Sequence, residues 1–177
     1  MRSFKKHIGA YVALIFAAVI VVIDQITKNL AVSNLQIEGN SVPAIKGILD
    51  FTLSYNDGMA FGIGSSVFRW VFVGVLVVVG AVLIYLMFKP KYNHILFMMS
   101  ASLIIGGGVG NAIDRVINGY VVDFLALSFF PPICNLADYA ITLGTVFLLI
   151  YVIFIYGKDD KKKITEEPVE FVIDENE

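Results

Sequence analysis

Four long apolar runs constrain this chain more than any other feature. They lie at about residues 8–31, 67–88, 93–114 and 133–156. A helix needs about 20 apolar residues to cross the hydrocarbon core of a bilayer, and each run has that length. The composition agrees, because 58% of the residues are hydrophobic and only 16% are charged. We therefore predict an all-α membrane protein with four transmembrane helices.

The first run follows the basic segment MRSFKK, as the apolar region of a secretory signal peptide does. However, that region of a signal peptide is usually about 7 to 15 residues long and precedes a cleavage site of small residues. The run at 8–31 is longer, and no such site follows it. We expect it to be retained as the first transmembrane helix.

The lysines and arginines predict the orientation of the helices, since cationic loops resist translocation. If the N-terminus is cytoplasmic, nine basic residues lie on the cytoplasmic side: Arg2, Lys5, Lys6, Lys89, Lys91, Lys158, Lys161, Lys162 and Lys163. Four lie at or beyond the outer helix ends: Lys28, Lys46, Arg69 and Arg115. This asymmetry predicts cytoplasmic termini and places the polar stretch after the third helix at the outer surface.

The segment between the first two helices, at about 33–66, is too polar to cross the membrane. Within it Phe51, Leu53 and Tyr55 alternate with polar residues, which is typical of a half-buried strand. We predict a small extracytoplasmic β-sheet there, formed between helices 1 and 2. Residues 1–156 then form one membrane-embedded domain, and residues 157–177 form a charged cytoplasmic tail.

Some ionisable residues fall within the outer halves or at the ends of the predicted helices, where burial in lipid is costly and function is the default interpretation. Asp24 and Lys28 are four residues apart on one helix, so their side chains can pair, and we interpret that pair as mainly structural. Asn111 and Arg115 have the same spacing and follow GGGVG, whose small residues allow another helix to approach closely. The guanidinium of Arg115 suits a carboxylate or a substrate carbonyl.

Asp123 and Asp138 are the strongest candidates for chemistry. Pro131 and Pro132 separate them, so they cannot share a helix; Asp138 is expected one turn inside the fourth helix, with Asn135 on the same face. If the two carboxylates converge, repulsion leaves them sharing one proton, and the pair can activate a water for peptide hydrolysis. Two other interpretations stay open on the residues alone: ion or substrate conduction, and a structural polar contact between helices.

Several classes of function find no support. The basic residues form no stripe that would bind nucleic acid. Cys134 is the only cysteine, so we expect no disulfide, and it has no histidine nearby to activate it. We expect no metal site, because Asp114, Asp123 and Asp138 lack the spacing of an acidic loop and Arg115 is beside them.

Five motifs together resemble one family. They are DQITK at 24–28, NDGMAFG at 56–62, GGGVGNAIDR at 106–115, VVDF at 121–124 and NLAD at 135–138. In this order, on a profile of four apolar helices, they resemble lipoprotein signal peptidase, the type II signal peptidase family of bacterial integral membrane aspartyl proteases. The resemblance covers about residues 15–156. It departs from the family pattern at Met59, where alanine is usual, and at Cys134, where phenylalanine is usual.

The resemblance implies a catalytic dyad of Asp123 and Asp138. It implies a structural role for Asp114, and supporting or substrate-binding roles for Asp24, Lys28, Asn56, Gly58, Asn111, Arg115 and Asn135. The implied substrate is a diacylglyceryl-modified prolipoprotein, cut on the amino side of the lipidated cysteine, and the outer sheet would form a cradle over the site. We further expect a monomer in the lipid of the bacterial inner membrane, inhibition by globomycin-type peptides, and no cofactor.

Overall fold

A computed structural model of the chain describes residues 7–58 and 65–156, and the side chains of the second helix from residue 69. In these ranges four helices are long and apolar enough to cross a membrane, as predicted. They are α1 (Ile8–Leu35), α2 (Ser65–Met87), α3 (Ile95–Ile117) and α4 (Leu136–Tyr151), which continues as a π-helical turn over Val152–Tyr156. A short 3₁₀ helix, Pro90–Tyr92, joins α2 to α3. The predicted charged tail at 157–177 and Met59 lie outside the described residues.

Several helix ends differ from the predicted ones by a few residues, and two of these differences have a visible cause. Helix α1 continues to Leu35 and ends where Gln36 adopts a positive φ of 61° and donates its amide to the carbonyl of Val32. Helix α4 begins at Leu136, three residues later than expected, because Asn135 caps it. Asn135 therefore lies at the start of α4 and not on a helical face with Asp138.

The sheet in the described residues has four antiparallel strands in the order β1–β2–β3–β4. Strands β1 (Ser41–Ile45) and β2 (Leu49–Asn56) lie in the predicted outer segment, but β3 (Val121–Leu127) and β4 (Phe130–Cys134) come from the loop before α4. The prediction that the sheet lies between helices 1 and 2 was thus incomplete. Pro131 and Pro132 exclude a helix but fit β4, because an edge strand has one side on which no amide donor is needed.

Helix α3 is the central helix and is far more buried than the other three. Its glycines allow the neighbouring helices to approach closely, as predicted from GGGVG. A methyl group on Gly106 would lie 2.8 Å from the carbonyl oxygen of Ala17 in α1, and one on Gly107 would overlap the carbonyl of Ala137 in α4. Close backbone contact of this kind holds membrane helices together where water cannot drive association.

The sheet packs on the end of α1 that follows Lys28. Ala31 and Leu35 of α1 form a buried cluster with Leu53 of β2 and with Val122, Phe124 and Leu125 of β3. The carboxylate of Asp123, between Val122 and Phe124, accepts hydrogen bonds from Asn56 and Asn135.

Gly107→Ala tests the α3–α4 contact. We expect it to lower the stability of the folded protein by about 1 to 3 kcal/mol, since the new methyl group overlaps the Ala137 carbonyl and the backbone must move. Thermal unfolding in detergent micelles measures this. Gly74→Ala in α2 is the matched control, because nothing lies within 4 Å of its added carbon. Equal unfolding temperatures for the two variants would contradict this account of the packing.

Candidate active site

Asp138 is held at the start of α4. It is the third residue of the helix, and its carboxylate Oδ2 accepts the backbone amide of Asn135 at 3.1 Å. In return, the side-chain oxygen of Asn135 accepts the amide of Asp138 at 2.9 Å. This reciprocal pattern is a capping box, which satisfies free amides of the first helical turn. The cap fixes the carboxylate of Asp138 relative to the strand that precedes the helix.

Asp123 is 2% exposed. Its Oδ1 accepts the side-chain amide of Asn135 at 2.6 Å, and its Oδ2 accepts that of Asn56 at 3.0 Å. Burial raises the pKa of Asp123 to about 6, and the negative charge of Asp138 adds to this, while the hydrogen bonds from Asn56 and Asn135 act in the opposite direction. Desolvation prevails because it penalises the charged carboxylate more than two neutral amides stabilise it.

Asn135 contacts both aspartates. Its side-chain amide donates to Asp123, and its backbone amide donates to Asp138. Asn135 is fully buried, so neither contact exchanges freely with solvent. The structure thus brings the two sequence-predicted carboxylates into contact with one residue.

Asn111 connects Asp138 to the helix bundle. Its Oδ1 accepts hydrogen bonds from Lys28 at 2.8 Å and from Asn135 at 3.1 Å. Its Nδ2 therefore faces Asp138 and donates to Asp138 Oδ1 at 2.7 Å. An ammonium can only donate, so Lys28 determines which end of the Asn111 amide reaches Asp138.

Lys28 is 2% exposed and contacts two carboxylates. Its Nζ lies 2.8 Å from Asp24 Oδ2 and 3.0 Å from Asp114 Oδ2. The predicted pairing of Asp24 with Lys28 is confirmed, and Asp114 of α3 joins it. Asp24 also accepts the amide of Ala137 in α4 at 3.0 Å, and Asp114 accepts the amide of Val122 in β3 at 3.1 Å. These contacts tie α1, α3, α4 and β3 to one buried ammonium.

Arg115, Asn56 and Gly58 lie near the two aspartates. The guanidinium of Arg115 donates to the carbonyl of Asn111 at 3.2 Å, lies 5.1 Å from the ring centre of Phe72, and is within electrostatic range of Asp123 and Asp138. Gly58 has a φ of +77° and donates its amide to Asn56 Oδ1 at 3.0 Å. That bond turns the Asn56 amide nitrogen towards Asp123.

A cavity of about 450 Å³ opens beside Asp123. Strands β2 and β4 and the residue that follows β2 line it: Ser54, Tyr55, Asn56, Asp57, Pro132 and Ile133. Cys134, the next residue after Ile133, is half-buried. Burial raises the pKa of its thiol, as do the charges of both dyad carboxylates. Cys134 is therefore a neutral thiol near the site and no activated nucleophile, in agreement with the sequence analysis.

Gln25 belongs to the same network but was not singled out from the sequence. Its Nε2 lies 2.9 Å from Asp114 Oδ1 and 3.2 Å from the carbonyl oxygen of Gly110. A methyl group on Gly110 would lie 2.5 Å from Asp24 Oδ2, so the helices approach closely here. Position 25, between Asp24 and Ile26, carries no spacing signal of its own. Only its place inside the DQITK motif could have drawn attention to it.

Comparisons with known proteins agree with this geometry. A family model described as "Signal peptidase (SPase) II" matches residues 16–154. Similar proteins include a lipoprotein signal peptidase of Lactobacillus johnsonii, 42% identical over 82% of this chain and 94% of that protein. Another, from Caldanaerobacter subterraneus, is 42% identical over 80% of this chain and 96% of that protein.

Solved structures are similar as well. One, described as a bacterial membrane enzyme at 1.9 Å resolution, has a TM-score of 0.73 and 30% sequence identity, covering 81% of this chain and 94% of that one. A second, at 2.3 Å resolution, has a TM-score of 0.71 and covers 90% of this chain. Since the family model and the curated relatives both span most of its length, the chain belongs to the signal peptidase II family.

Proposed function

We propose that this chain is a membrane aspartic endopeptidase that removes signal peptides from diacylglyceryl-modified prolipoproteins, cutting on the amino side of the lipidated cysteine. The observation that carries the proposal is that Asn135 donates hydrogen bonds to both Asp123 and Asp138. Two carboxylates held at one residue form the pair that general acid–base hydrolysis needs. The names of the relatives, lipoprotein signal peptidases, supply the substrate class.

The two aspartates have different surroundings, and these assign their roles. Asp138 lies in the first turn of α4 and accepts the backbone amide of Asn135, at a helix N-terminus where the macrodipole favours a negative charge. Asp123 is in a strand without such a dipole, and burial raises its pKa to about 6. In the proposed resting state Asp138 is ionised and Asp123 carries the shared proton.

Hydrolysis then takes two steps. In the first, Asp138 accepts a proton from water, the water oxygen bonds to the scissile carbonyl carbon, and Asp123 gives its proton to the carbonyl oxygen. In the second, Asp138 passes its proton to the departing nitrogen, the carbon–nitrogen bond breaks, and Asp123 recovers a proton from a hydroxyl of the intermediate. The dyad returns to its starting state, and no covalent enzyme intermediate forms.

The remaining polar residues have supporting roles in this proposal. Asn56 and Arg115 border the dyad and orient the substrate, and Gly58 supports Asn56. Asn111 and Asn135 hold the carboxylates, while Asp24, Lys28 and Asp114 hold Asn111 and β3. The cavity between β2 and β4 receives the peptide near the membrane surface, and the acyl chains of the substrate stay in the lipid.

The proposal includes location and assembly. We place the protein in the cytoplasmic membrane of a bacterium as one domain over residues 1–156, with both termini and the tail at 157–177 in the cytoplasm and the site near the outer face. The excess of lysine and arginine on the assigned cytoplasmic side supports this orientation. We also propose a monomer, with globomycin-type peptides competing for the cavity.

Replacement of either dyad residue tests the proposed reaction. We expect Asp123→Asn and Asp138→Asn each to lower the rate of cleavage of a lipidated precursor by about 10²- to 10⁴-fold, because an amide can neither accept the proton of water nor return one. Cleavage by purified protein in lipid vesicles, followed by gel shift of the precursor, measures the effect.

Asp50→Asn is the matched control for these variants. It removes a carboxylate from β2 in the same sheet, outside the hydrogen-bond network, and should retain cleavage near the starting rate. All three variants should insert in the membrane and unfold cooperatively. Full activity of either dyad variant would refute the proposed mechanism.

The pKa of Asp123 predicts the pH dependence. Because Asp123 must be protonated, kcat/KM should fall as the pH rises through about 6. The hydrogen bond from Asn56 favours the carboxylate and lowers that pKa, so Asn56→Ala should raise it and move the alkaline fall to higher pH. Rates over a pH series for both proteins provide the measurement. A shift of the alkaline limb to lower pH would contradict the proposed role of Asp123 as the acid.

A further inference from the structure

We propose that Gln25 is a positioning residue of the dyad, which acts through Asp114 and the backbone of β3 to hold Asp123 in place. This inference rests on the proposed function for its kinetic consequences. It starts from the contact between Gln25 Nε2 and Asp114 Oδ1 at 2.9 Å.

Gln25 divides the two oxygens of Asp114 between different partners. Oδ1 accepts from Gln25, while Oδ2 lies 3.0 Å from Lys28 Nζ and accepts the amide of Val122 at 3.1 Å. Asp114 is 3% exposed, so water cannot replace a lost donor easily. Without the amide of Gln25, the carboxylate is free to turn both oxygens towards Lys28, and the amide of Val122 then loses its acceptor.

The Val122 amide matters because Val122 directly precedes Asp123. Strand β3 begins at Val121, and the bond to Asp114 anchors this first part of the strand to α3. A change at Val122 therefore moves the strand that carries Asp123, whereas Asp138 lies in the capped first turn of α4. Misplacement of a reacting group by about 1 Å can cost about 10²-fold in rate.

The side-chain amide of Gln25 lies near several acceptors besides Asp114. Gln25 Nε2 also donates to the carbonyl oxygen of Gly110 at 3.2 Å, and Asp24 Oδ2 is 3.4 Å away. The charged groups that face it are Asp24 and Lys28 of its own helix and Asp114 of α3, with Arg115 in electrostatic range of Asp114. The network therefore needs a donor at position 25, since its nearest acceptors are two carboxylates and a carbonyl.

Three variants test the inference. Gln25→Met keeps the length of the side chain and removes the donor; we expect kcat to fall about 10- to 100-fold while KM changes less than about twofold.

Gln25→Glu can donate to Asp114 only when its carboxyl group is protonated. Its kcat relative to the starting protein should therefore rise about tenfold as the pH falls from about 8 to about 5.5, whereas the same ratio for Gln25→Met should stay flat. Asn34→Asp is the control, since Asn34 is an exposed amide of the same helix whose side chain donates to the Leu30 carbonyl, and its ratio should stay near one.

An infrared titration separates this inference from the proposed function, because it needs no activity. The carboxylic acid band that disappears in Asp123→Asn belongs to Asp123. In Gln25→Met that band should shift in frequency or in titration midpoint, and in Asn34→Asp it should not. An unmoved band, or a lower unfolding temperature with unchanged kcat per folded molecule, would overturn the positioning role. A protein that shows the band shift but never cleaves lipidated precursor would refute the proposed function instead.

Discussion

One buried ammonium organises the polar interior of this protein. Lys28 lies between Asp24 and Asp114 at ion-pair distance and is almost inaccessible to water. Removing one partner from such a buried group is costly, because the remaining charge stays desolvated. The two carboxylates in turn accept backbone amides from α4 and β3. The elements that carry Asp138 and Asp123 are thus both anchored to the same charge, which the first helix supplies.

The influence of that charge reaches the dyad through neutral groups. Lys28 orients Asn111, and the amide nitrogen of Asn111 then donates to Asp138. The backbone amide of Gly58 orients the side chain of Asn56 in a similar way. Asn135 donates hydrogen bonds to both carboxylates. A cation in direct contact would hold both carboxylates ionised. Amides fix their geometry and leave one of them able to keep a proton.

Much of this arrangement could be predicted from the sequence. The four helices follow from apolar length alone, and the Asp24–Lys28 pair follows from helical spacing. The glycines of GGGVG predicted close helix contacts, and α1 and α4 do approach α3 there. On residues alone conduction and a structural contact remained possible beside hydrolysis, and membership of the signal peptidase II family now favours hydrolysis.

The parts that were missed depend on long-range pairing. Strand β3 is buried along most of its length, because it lies between β2 and β4 and against α1. Its sequence, VVDFLAL, therefore lacks the alternation of apolar and polar residues that identified β2. The start of α4 was placed too early, because apolar character begins before the residue that caps the helix. Gln25 is recognisable only when α1 and α3 are seen together, since its acceptors lie 85 and 89 residues away.

The two aspartates reach the site on different kinds of secondary structure, and this difference carries chemical consequences. Asp138 belongs to a capped helix N-terminus, whose amides and dipole are available to a carboxylate whatever the substrate does. Asp123 belongs to a strand, where the backbone amides pair with neighbouring strands and are not available to its carboxylate. Burial raises the pKa of Asp123 to about 6, although the side-chain amides of Asn56 and Asn135 act in the opposite direction. A dyad built from two helix N-termini would favour charge on both carboxylates, and one built from two strands would favour it on neither. In the proposed mechanism, this difference between a strand and a helix N-terminus distinguishes the acid, Asp123, from the base, Asp138.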